Sequence, residues 1–233
     1  MLEPLYDITV RCSFCTLTFQ TKKVRPSFKK ATKTDTDFCH HYRELNPEYY
    51  VVRICPMCGF AHSENFSDQW KPVQREQFQM KVAQNWVRRD YGGERTWEDA
   101  LYAYKLALLS AQIREEKSRV VAGLLHHIAW LYREREQWEQ EKRFLGFALE
   151  AYTSVFESEG MDLNQARLMY LMGELNRRLG NYQDAVKWFS RVINDKKIME
   201  AGMIKACREQ WIVTREDMIA ARMELPEEMK QAK

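Results

Sequence analysis

The sequence lacks any apolar run approaching the ~18–20 residues that cross a bilayer as a helix, so no membrane-spanning segment is expected. It also lacks a strong charge bias. The formal net charge is +3, with 10 Lys+Arg against 8 Asp+Glu up to Pro72 and 26 against 25 beyond it. A dedicated nucleic-acid binder carries a larger basic excess. Missing too are a Gly-rich phosphate loop, a nucleophile elbow, a His-Glu-x-x-His helix and a paired-carboxylate arrangement, which removes every specific reason to assert catalysis. The expectation is a protein that is not an enzyme. The opening Met1-Leu2-Glu3-Pro4-Leu5-Tyr6-Asp7 has neither a basic nor an apolar leader region, so no signal peptide is indicated and the cytoplasm is the expected compartment.

What the chain does have is thiols. Six cysteines without an export signal argue for metal ligands or reduced thiols over a disulfide framework. Four of them form two Cys-x-x-Cys pairs, Cys12…Cys15 and Cys55…Cys58, a pattern that reads as one four-thiolate metal site. Residues 1–72 are otherwise strand-like and rich in turns. Ile8–Arg11 and Thr16–Thr21 read as a hairpin with the first pair at its tip, and Tyr49–Ile54 as a second strand entering the next pair. The intervening residues 22–47 show no periodicity, so this head has little to hold it without a staple. A structural zinc site supplies about 10–16 kcal/mol of apparent binding energy as folding energy.

Gly59 suits the left-handed turn that brings backbone N–H groups toward sulfur, whereas Thr16 stands at the matching place of the first pair. Cys-Pro-x-Cys-Gly among aromatics also resembles the second knuckle of rubredoxins, which implies iron and a redox role as the alternative. Thr16, and the 39 residues separating Cys15 from Cys55, favour zinc. A thioredoxin-like redox pair at Cys55 and Cys58 needs a following helix, and Phe60–Phe66 has no helical period. His62 is a further candidate ligand. Cys39, in Asp35-Thr36-Asp37-Phe38-Cys39-His40-His41, is a candidate extra metal or redox residue or a plain buried thiol. The run Lys22, Lys23, Arg25, Lys29, Lys30, Lys33 is a candidate for tracking a phosphate backbone or a solvated loop.

After Pro72 the period becomes helical. Trp97…Ala100…Tyr104…Ala107 recurs as Trp138…Glu141…Leu145…Ala148 and as Tyr182…Ala185…Phe189…Val192. Repeats of this length mean stacked helical hairpins. The segment Gly173…Gly180-Asn181-Tyr182…Ala185…Phe189 resembles the tetratricopeptide pattern, which implies a groove for peptides or protein surfaces. Carried over to this chain, its groove positions are His126, His127, Trp130 and Arg133 in the middle unit. In the last unit they are Arg167, Tyr170, Glu174, Arg177 and Arg178. A first helix over residues 74–90, a poor helix contact at Glu141, caps at Thr96, Asp162 and Asn181, and a final helix over 198–222 with Cys207 buried complete the expectation. The organisation is then a metal-binding module (1–72), a repeat array (73–225) and a polar tail (226–233).

End to end the sequence resembles the bacterial family named domain of unknown function 2225. The resemblance is carried by Leu2–Asp7, Cys12…Cys15, Lys22-Lys23-Val24-Arg25, Asp35–Cys39, Asn46–Tyr50 and Cys55–Phe60. It implies a mainly α chain, with a small β-rich zinc-ribbon-like head on tetratricopeptide-like helices, and brings no activity. The functional expectation is a zinc-binding adaptor that holds a protein partner.

Overall fold

The structure is a computed structural model in which residues 2–158 and 165–230 are described. The chain divides into two compact units, Met1–Phe144 and Leu145–Lys233.

The first unit begins with two antiparallel strands, β1 (Leu5–Arg11) and β2 (Thr18–Val24), in register from Leu5↔Val24 to Arg11↔Thr18. Val10 and Phe19, paired across the strands, join the main apolar cluster, whereas Leu5 and Val24, also paired but of opposite parity, are buried with Tyr50 in a smaller cluster on the other face. A tight hairpin follows, β3 (Lys33–Thr34) with β4 (His40–His41). The stretch expected as a strand from Tyr49 is instead a 3-10 turn over Pro47–Tyr50, and only β5 (Arg53–Ile54) is extended, paired with β6 (Ala61–His62). Local chemistry decides this: Pro47 fixes φ at the first turn position, and the Asn46 side chain accepts a hydrogen bond from the Glu48 N–H.

The helices are α1 (Pro72–Lys81), α2 (Trp97–Ile113), α3 (Ser118–Glu134) and α4 (Trp138–Ser158). Pro72 opens α1 as its first residue. That helix stops well short of residue 90, because the chain passes through a 3-10 turn (Ala83–Asn85) to an extended Trp86. Thr96 and Asp99 form the expected capping box at α2. One apolar cluster joins the strands to α1, α2 and α3, from Val10, Phe19 and Phe60 through Phe78 to Tyr104, Ala107, Ile128 and Tyr132. Residue 72 therefore marks a change of secondary structure without interrupting the core.

In the second unit, α5 (Gln165–Leu179), α6 (Tyr182–Asn194) and α7 (Ala201–Ala220) pack in succession. Gly180, at φ +85°, ends α5, and the Asn181 N–H returns to the Asn176 carbonyl. The small residue expected in α5 has a steric reason, since a Cβ on Gly173 would lie 2.6 Å from the Phe189 ring. Asn181 makes no side-chain cap on α6, and Asp162 lies outside the described residues. The three aligned repeats begin at Trp97, Trp138 and Tyr182, the first residues of α2, α4 and α6. The segment expected as a polar tail contains the short helix α8 (Glu227–Lys230), whose Met229 is buried against Val186 and Met218. Among the described residues no helix is long and apolar enough to cross a membrane.

Candidate metal centre

The two knuckles are copies of one another. Cys12 follows β1 as Cys55 follows β5. In the first, the Cys12 N–H donates to the Leu17 carbonyl (2.9 Å) and the Thr16 N–H to the Cys12 carbonyl (3.0 Å). In the second, the Cys55 N–H donates to Phe60 (2.9 Å) and the Gly59 N–H to Cys55 (3.0 Å). Each turn closes on a left-handed residue, Thr16 at φ +64° and Gly59 at φ +72°. The strained threonine is real, and it is exposed. Gly59 carries a second constraint, because a Cβ there would meet the Trp86 ring at 2.4 Å.

These turns aim four sulfurs at one point. The donor atoms of Cys12, Cys15, Cys55 and Cys58 all lie within 4.8 Å of one another. Cys12 Sγ is 3.7 Å from Cys58 Sγ, and Cys15 Sγ is 3.5 Å from Cys55 Sγ. An ion held tetrahedrally at the Zn–S distance of ~2.3 Å would separate its sulfurs by about 3.8 Å, so the residues present fit such an ion. All six cysteines are reduced thiols. Among themselves the Cys12, Cys55 and Cys58 sulfurs compete for protons. Hydrogen bonding to Cys55 and burial push Cys12 up to about 12, while hydrogen bonds from Cys12 and Cys58 pull Cys55 down to about 2. Four thiolates at this separation need a cation between them. His62 is outside the group. It stacks on Phe60, and burial lowers its imidazole to about 4. Strand β6 follows Cys58, where a thioredoxin-like pair would need a helix.

Two tryptophans, not foreseen in the sequence, secure equivalent positions in the two knuckles. Trp70 Nε1 donates to the Ser13 hydroxyl and Trp86 Nε1 to the Pro56 carbonyl, both at 3.0 Å. Arg75 adds a hydrogen bond to the Phe14 carbonyl and lies over the Phe14 ring.

Of the groove residues expected on α3, His126 and Arg133 are buried and Trp130 half-buried against Asp37 of the β3–β4 hairpin, whereas half-buried His127 pairs with Glu48. Asp37, wholly buried, takes both terminal nitrogens of Arg133 (2.9 and 2.6 Å), His126 (3.3 Å) and the Trp130 indole N–H (3.1 Å). Arg133 also reaches Asp35 (3.0 Å) and Glu141 (2.7 Å). This explains a glutamate where the repeat pattern calls for alanine, and it replaces the poor helix contact expected there with an ion pair. Burial keeps His126 below the ordinary imidazole value. For His127 burial acts the same way, but the hydrogen bond to Glu48 (3.0 Å) outweighs it and raises the value.

In the second unit Tyr170 and Glu174 are buried, and Arg177 and Arg178 both bind Glu174. Arg177 continues to Asp217 on α7. Arg167 is exposed. Cys207 is buried, and desolvation pushes its thiol up to about 12. In the basic run Lys22 pairs with Asp7, Lys23 with Glu64 and Lys33 with Asp35, while Arg25 lies over Tyr6 and donates to the Glu3 carbonyl. Lys29, Lys30 and Lys33 are exposed.

A comparison with curated proteins finds none that matches. Residues 5–214 match the family described as an uncharacterized protein conserved in bacteria (DUF2225), and the chain belongs to that family.

Proposed function

We propose that this protein is a non-enzymatic adaptor in which zinc shapes the β-rich head and the helical repeats hold a partner protein. The observation that carries the reading is the closed donor set: four sulfurs at tetrahedral spacing, buried or half-buried, leave no coordination position for a substrate. Such a site folds a module; it does not turn anything over. The same cage accommodates iron, so the metal is read from colour: a ferric tetrathiolate absorbs in the visible and zinc does not.

Because His126 and Arg133 on α3 are buried and engaged by Asp37, the reading assigns the partner surface to the second unit, where Arg167 is exposed on α5. The test is affinity capture from the native cell with the zinc-loaded full chain and with Arg167→Glu, followed by titration of the recovered partner in purified form. The proposal expects a partner whose affinity drops at least tenfold with Arg167→Glu. Equal capture and equal affinity of the two proteins would contradict this placement of the groove. Specific retention of nucleic acid, lost as salt rises, would replace it with the basic-run reading.

A further inference from the structure

The β3–β4 hairpin assembles a second set of donors that the adaptor reading does not use. Asp35, Cys39 and His41 each offer one ligand atom, and the three atoms lie within 4.8 Å of one another. Local geometry fixes them. The Asp35 N–H donates to the Cys39 carbonyl (2.8 Å) and the Phe38 N–H to the Asp35 carbonyl (2.9 Å), with Phe38 left-handed at φ +68°. Cys39 immediately precedes β4 and His41 ends it, two residues on, the spacing that puts extended side chains on one face. His41 Nε2 already sits 2.8 Å from Asp35 Oδ2.

The surroundings are acidic. Asp35, Asp37 and Glu141 converge on the Arg133 guanidinium and Lys33 also pairs with Asp35, so three acids meet two cations and one net negative charge remains. Cys39 and His41 also line a cavity of about 240 Å³, whose lining includes His127, Trp130 and Glu134. A sulfur, a nitrogen and an oxygen donor together suit a borderline divalent ion and not calcium or magnesium, which take oxygen.

We propose that Asp35, Cys39 and His41 form a second metal site, for a zinc-class divalent cation, with its fourth coordination position open to this cavity. The sulfur cage is closed and structural; this site has three protein ligands and room for an outside donor, the arrangement of an exchangeable or reactive centre. On binding, the Cys39 Sγ–metal bond forms as the thiol proton leaves to solvent, and His41 binds through a neutral ring nitrogen.

Co²⁺ is the probe. The full chain, loaded with a single equivalent of zinc so that the sulfur cage alone is filled, is titrated with Co²⁺ while the visible d–d bands, the near-ultraviolet sulfur-to-cobalt band and released zinc are followed. The expected result is one Co²⁺ per chain with no zinc release. Cys39→Ser should abolish the sulfur-to-cobalt band. His41→Ala, at a residue whose side chain is 41% exposed, should weaken Co²⁺ by at least about tenfold, the scale on which even outer-shell losses act. Both variants should keep the first zinc, which shows that they are folded. The proposal is overturned if no Co²⁺ binds, if Cys39→Ser leaves the spectrum unchanged, or if Co²⁺ enters only as zinc leaves, which places it in the sulfur cage.

Discussion

The two knuckles share their hydrogen bonds, their left-handed residue and their tryptophan, yet they tolerate different side chains at the turn. Gly59 lies under the Trp86 ring, and Thr16 lies in solvent. The left-handed conformation alone costs a non-glycine residue about 1–2 kcal/mol, which a zinc site worth about 10–16 kcal/mol absorbs. The steric contact is what makes glycine obligatory at one place and dispensable at the other.

The largest effect should come from the ligands themselves. Cys15→Ser and Cys55→Ser should each weaken zinc by more than about a hundredfold, beyond the range of outer-shell losses, as read by competition with a chromogenic chelator. Cys55→Ser should cost about 1–3 kcal/mol more in thermal unfolding, because its hydroxyl replaces a wholly buried sulfur while Cys15 is half-buried. Equal unfolding temperatures would break the asymmetry.

Next, Gly59→Ala should destabilise the zinc-loaded protein by about 2–4 kcal/mol, through the Trp86 clash as well as the backbone. Thr16→Ala should change stability by less than about 1 kcal/mol. Denaturant unfolding of both variants decides this, and a similar loss in the two would show that backbone strain governs. Smaller still, Trp70→Phe and Trp86→Phe each remove one hydrogen bond, worth roughly 1 kcal/mol. Matching losses would confirm that the two indoles are equivalent pins. The smallest expected change is in Thr16→Gly, which relieves the left-handed strain but adds unfolded-chain entropy, for a net gain of roughly 0.5 kcal/mol.

This contrast also marks how far the sequence can be read. The cysteine spacing announces the cage, and the recurring Trp97, Trp138 and Tyr182 mark the first turns of three helices, because ligand sets and helical periods are written in short-range patterns. Trp70 precedes the helical pattern and Trp86 lies in the stretch expected as the first helix, so nothing local says that they pin Ser13 and Pro56, 57 and 30 residues away. The pairing of Arg133 on α3 is hidden for the same reason: Arg133 meets Asp37 across 96 residues, and a charged residue at a groove position looks the same in the sequence whether it faces water or a buried carboxylate. Glu141 offered the one available signal, a charge where helix packing calls for alanine, which asks for a buried cation opposite. The 3-10 turn at Pro47–Tyr50 shows the converse, with proline and an asparagine cap overriding a β-branched and aromatic run.

The central claim, that four distant thiolates enclose one ion, is tested most directly by X-ray absorption at the zinc edge. The measurement uses the Cys39→Ser protein, so that the hairpin contributes no sulfur. The account predicts one zinc per chain surrounded by four sulfurs at about 2.3 Å. A first shell of mixed nitrogen, oxygen and sulfur, or protein that folds fully with no metal bound, would contradict it.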